Sequence, residues 1–163
     1  MKRYHTAALV ALALAGQDVA AEIDVHKVDL AAVDGCIANA MTLEQSPLSC
    51  IDAAHTPCLE ISAETPNVTT LCFKQAQDQW SHGIARHMEV LSQEAPKEIV
   101  AIARIEVKYD LLASLLQCDR MDELAALRGT ANEERLKQKT RCRATASGLA
   151  FARMVWRSPM RQE

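Results

Sequence analysis

The stretch "CIDAAHTPC", residues 50–58, sets two cysteines eight positions apart around His55. On one helix, eight residues span roughly 12 Å, which is beyond the reach of a disulfide. Unless Pro57 folds the segment back sharply, Cys50 and Cys58 belong to different bridges. Moving outward, Cys36 lies 14 positions before Cys50, and Cys72 lies 14 positions after Cys58. The intervals "CIANAMTLEQSPLSC" (36–50) and "CLEISAETPNVTTLC" (58–72) each run from a helix, through a loop, into the next helix. They read as two similar staples, and Cys118 and Cys142 then pair by elimination. Six cysteines allow fifteen connectivities; the expectation here is 36–50, 58–72 and 118–142. In the chain-entropy account each bridge contributes about 3 kcal/mol.

Bridges persist in an oxidising compartment, and the N-terminus fits one. "MKRYHTAALVALALAGQDVAAEID" (1–24) opens with Lys2 and Arg3, continues with an apolar run from Thr6 to Gly16, and offers Val19-Ala20-Ala21 as a cleavage site. These are the parts of a secretory signal peptide over residues 1–21; a retained anchor is the alternative. The apolar run is shorter than the roughly 20 residues a bilayer span needs, so no stable membrane insertion is expected. The chain beyond Glu22 is expected to be periplasmic or secreted, and its length suits one domain.

Elsewhere apolar residues recur at helical spacing. The first short helix is expected from Asp29 to Leu43. Ser46 and Pro47 signal the start of a second, as N-cap and first helical residue, which Pro57 limits. Residues 62–70 read as a loop, with Thr69 or Thr70 capping a helix over 71–91 whose stripe is Cys72, Ala76, Trp80, Ile84, Met88 and Leu91. After Pro96, Ile99, Ile102, Ala103, Tyr109, Leu112, Ala113 and Leu116 predict a long helix ending near Arg128-Gly129, where Gly supplies the C-cap. Thr130 can cap a last helix that reaches Trp156, with Glu133 and Glu134 suiting its dipole. The fold class is therefore all-α: two short N-terminal helices, then three longer antiparallel ones, stapled by three disulfides.

Charge is divided along the chain. Residues 22–125 carry 17 acidic and 7 basic side chains, whereas residues 126–163 carry 3 and 9. Net charges of −10 and +6 let the two parts attract each other, and such an acidic field also steers a cationic partner. Zinc at Cys50, His55 and Cys58 lacks the usual short Cys-x2-Cys spacing and competes with disulfide formation. His55 reads as a solvated residue. His82 and His87 stand five apart rather than at i,i+4, and read as two surface histidines. The basic run "RLKQKTRCR" (135–143) has few aromatics near it for base stacking, so a solvated basic face is expected and no nucleic acid. No nucleophile elbow, paired-acid signature or phosphate loop is present; the expectation is no enzyme, no catalytic residues, no metal and no cofactor.

The cysteine framework with "CFKQAQDQWSHGIARHM" (72–88), a long helix reaching Cys118 and a final helix holding Cys142 resembles the LprI-type lysozyme-inhibitor domain of exported bacterial proteins. Cys72, Trp80, Ile84 and Met88 stand at the family's apolar places. Ala85 replaces its asparagine, and Asp110, Ser114 and Leu115 stand where it carries a tryptophan and an Arg-Asp pair; the positions that do match are structural, so no inhibitory residue carries over. The likeness covers roughly residues 50–156. On that basis 1–21 is the leader, 22–48 an extension with a short helix, 49–157 the LprI-like domain and 158–163 a tail. It implies a non-enzymatic periplasmic binding protein, with lysozyme inhibition as the family's founding activity. Lysozymes are typically cationic, so exposed carboxylates near the turn at Pro96, namely Asp78, Glu89, Glu94 and Glu98, are the candidate partner-binding residues. The alternatives are an envelope assembly or chaperone-like module, which would expose an apolar patch, and a metal-binding protein using His55, His82 or His87.

Overall fold

A computed structural model describes residues 27–157. The leader expected over 1–21, the start at Glu22 and the tail over 158–163 lie outside the described residues. Within them the chain forms α1 (Leu30–Thr42), α2 (Leu48–Leu59), α3 (Pro66–Glu94), α4 (Lys97–Leu127) and α5 (Asn132–Arg157), with no strand among the described residues. The all-α class and the three staples are as expected: Cys36–Cys50, Cys58–Cys72 and Cys118–Cys142 all bridge, with Cα separations of 5.8, 5.6 and 5.7 Å.

Helix ends follow local chemistry. Asp29 accepts from the Ala32 amide and caps α1. Ser46 Oγ accepts from Leu48 N, but Pro47 itself is the residue before α2, one position later than expected. Pro57 lies inside the last turn of α2 rather than at its limit. α3 starts at Pro66, five residues before the expected Leu71. Pro66 occupies the first helical position, where a missing N–H costs nothing, so Thr69 and Thr70 fall inside the helix and do not cap it. The Thr70 hydroxyl donates back to the Pro66 carbonyl. At the far end of α4, Gly129 adopts φ 76°, a left-handed conformation that favours glycine. Thr130 donates its amide to Ala125 and closes this turn; α5 begins two residues later.

α5 lies at the centre, packed along α3 on one side and α4 on the other, while α3 and α4 touch mainly near their shared turn. The α3-facing side of α5 is made of small residues: Ala144, Ser147, Gly148 and Ala152 are buried there. That shallow surface receives Trp80, fully buried, with Phe73, Phe151, Ile51 and Ile37 around it. Trp80 and Phe151 ring centroids are 5.6 Å apart. A Cβ on Gly148 would stand 2.8 Å from Ile51 Cγ2 and 3.1 Å from Trp80 Cε2, so only glycine permits this approach. α1 adds Val33 and Ile37 to the same core. A chain with two tryptophans and two phenylalanines thus builds its core by pressing two large rings against an alanine-rich helix.

α4 and α5 are antiparallel, as their cross-links show. Asp122 pairs with Arg135 at 2.9 Å, Asp119 with Lys139 at 3.0 Å, Asp110 with Arg153 at 3.5 Å and Glu106 with Arg157 at 3.1 Å. Partner numbers rise along one helix as they fall along the other. The opposed charges of the acidic and basic regions meet here within one molecule, and Arg135 and Lys139 of the basic run spend their charge on α4.

Candidate docking face

α4 carries two apolar stripes. Val100, Ala103, Val107, Leu111 and Cys118 turn inward, toward α5 or the Leu91 cluster. Ile102, Ile105, Tyr109, Leu112 and Leu116 are 53, 57, 61, 49 and 53% exposed. At 100° per residue the second set lies diametrically opposite the first, which leaves a bare apolar ridge of about four turns. Helical spacing in the sequence joins members of both stripes into one; of these residues Ala103 faces inward, while Ile99 is 46% exposed and the rest of the large ones line the ridge. Singly exposed apolar residues are ordinary, whereas a contiguous row marks an interaction surface. Beside the ridge at Ala113, an open groove of about 700 Å³ runs between α4 and α5, lined by Gln117, Met121, Arg141, Thr145 and Leu149.

The four acidic candidates do not form one cluster. Glu89, Glu94 and Glu98 are exposed around the α3–α4 turn, with Lys97 among them. Asp78 lies further back along α3, where it accepts an i,i+4 pair from Lys74 at 3.1 Å.

Two histidines expected on the surface are buried. His55 is 3% exposed, and its Nε2 accepts a hydrogen bond from Trp80 Nε1 at 3.0 Å, which requires the ring proton on Nδ1. Its ring meets Phe73 and Trp80 edge-on. His87 is 7% exposed, near Asp34 of α1. Burial holds the Asp34 carboxyl above its ordinary range, against the opposing pull of His87 and Arg86. His82 alone of the three is exposed, as expected. The missed signal was periodic: Ile51, His55 and Cys58 stand at i,i+4,i+7, and so do Trp80, Ile84 and His87, which places each histidine on a core stripe. Cys50 and Cys58 are each bonded to a different cysteine, so neither offers a thiolate to a metal.

No helix among the described residues is long and apolar enough to cross a membrane. No family model, curated protein or solved structure matches the chain. The fold and the ridge define its class from within: a disulfide-stapled helical domain that presents one helix with an apolar outer face.

Proposed function

We propose that the chain is an exported, non-enzymatic protein-binding domain, a helical interaction module of the bacterial cell envelope whose docking surface is the outer face of α4. The observation that carries this reading is the row Ile102, Ile105, Tyr109, Leu112 and Leu116, half exposed on a helix whose other face is already satisfied by α5. The three bridges and the leader-like N-terminus support export. A photo-crosslinking residue at Leu112 in the exported chain is expected to give a discrete protein adduct, whereas one at Ser81, exposed on α3, is not. No adduct from position 112 would overturn the reading.

A second reading follows from charge and from the resemblance to LprI-like domains: inhibition of a cationic lysozyme through the acidic end of the molecule. The exposure of Glu89, Glu94 and Glu98 around one turn favours it. Titration against lysozymes at low and moderate salt tests it, since contact by field weakens steeply as salt rises. Inhibition that ignores salt, or none, would exclude that mechanism.

A further inference from the structure

The geometry points to a second copy of this chain as the occupant of the α4 ridge, laid antiparallel with Tyr109 on the two-fold axis. This rests on the reading of that face as a docking surface and adds its partner. Ile102, Ile105, Tyr109, Leu112 and Leu116 follow a 3-4-3-4 spacing, the repeat of a coiled-coil seam rather than of a helix packed on a globular core. An isologous pair must match its own surface with itself, and this ridge does so in one orientation. With Tyr109 on the axis, Ile102 faces Leu116, and Ile105 faces Ala113, one residue rise of about 1.5 Å from Leu112. Glu98 at one end of the ridge then faces Arg120 at the other, and symmetry makes that pair twice.

A parallel pair would instead set Glu98 against Glu98 and Arg120 against Arg120. Both ends would repel, so charge selects the antiparallel arrangement. Glu98 and Arg120 are exposed and free of any ion pair within the described residues, whereas the carboxylates on the inner side of α4 are already joined to α5. The area suffices: the five half-exposed side chains with their flanking alanines and charged stems come to roughly 600 Å² per copy, so two copies bury on the order of 1,200 Å², the lower bound for a specific interface. α4 meets α5 along one side and α3 only near the turn, so the ridge is sterically open.

Sedimentation equilibrium of the oxidised chain tests this. A reversible dimer is expected. Leu112→Glu weakens it by roughly 100-fold, since it places two carboxylates against the seam, while leaving the helical signal and the thermal unfolding of the dilute monomer unchanged. Glu98→Arg and Arg120→Glu each weaken it about fivefold, and the double reversal restores it. Tyr109→Cys gives a disulfide-linked dimer across the axis, and Ile102→Cys does not. A monomer at about 100 µM, a dimer indifferent to Leu112→Glu, or a double reversal as weak as the single ones would overturn the proposal. The adduct from position 112 separates the two levels: twice the chain mass supports self-pairing, another mass overturns it and keeps the docking face, and no adduct removes both.

Discussion

At the scale of single residues, the interior is held by a few polar groups placed where apolar ones would be expected. Trp80 carries an indole N–H into the centre of the molecule, and His55 Nε2 is the acceptor that makes this tolerable. His55→Ala leaves that N–H buried without its acceptor and opens space beside Phe73. The expected loss is about 1–3 kcal/mol plus a cavity term, read as a lower denaturant midpoint with an unchanged slope. Asp34 works in the opposite sense. Its carboxyl is held above the ordinary range by burial, so the folded chain binds that proton more tightly than the unfolded chain does. Stability contributed at this position therefore falls as pH rises from the ordinary carboxylate range through the raised folded value. Asp34→Asn is expected to match the parent chain at acid pH and to gain on it as pH climbs through that window; a constant offset at all pH values would contradict this assignment. Neither His55 nor His87 was legible as buried, because Asp52 and Thr56 give the segment around His55 a polar look and Arg86 does the same for His87. The i,i+4,i+7 positions held the answer; residue type outweighed period in the reading.

At the scale of elements, α5 decides how closely the others approach. Gly148 lets Trp80 and Ile51 press on the α5 backbone, so Gly148→Val forces two helices apart. The expected cost is about 1–3 kcal/mol from overpacking, or more because the obstacle is a buried ring. Thermal unfolding with Trp80 emission as a second probe checks it. The α4–α5 seam adds a pH dependence of its own. Lys139 donates to the Asp122 carboxylate, and Arg135 pairs with it too, holding it below the ordinary range. The folded chain thus releases this proton more readily than the unfolded one. The stabilisation is complete above the ordinary carboxylate range and is lost as pH falls through the lowered folded value. Asp122→Asn should be less stable than the parent at neutral pH and converge with it in acid. Most of this level was readable beforehand: Pro96, Gly129 and the cysteine spacings mark helix ends and staples by hard steric rules. The start of α3 was not, since Thr69 and Thr70 are good caps in sequence, yet Pro66 had already set the helical φ three residues earlier.

At the scale of the whole molecule, two separations matter. The division of charge along the chain resolves into an internal seam between α4 and α5, which uses up much of the field that a cationic partner would feel and leaves Glu89, Glu94 and Glu98 exposed near the α3–α4 turn. The division of apolar residues on α4 resolves into an inner stripe and an outer ridge, a distinction the sequence held as two registers of one period. Hydrophobic spacing reports that a face is buried or buriable; it does not say whether the cover comes from the same chain. On this reading the outer ridge is covered when the protein does its work. Hydroxyl-radical footprinting of the chain in the cells that make it measures this directly, comparing Tyr109, Leu112 and Leu116 with Leu43 and Leu59, which are similarly exposed elsewhere at 54 and 46%. Strong protection of the three ridge residues is expected in the cell, lost on dilution of the purified chain, with Leu43 and Leu59 reactive throughout. Ridge residues that oxidise in the cell as freely as Leu43 and Leu59 would contradict a covered ridge.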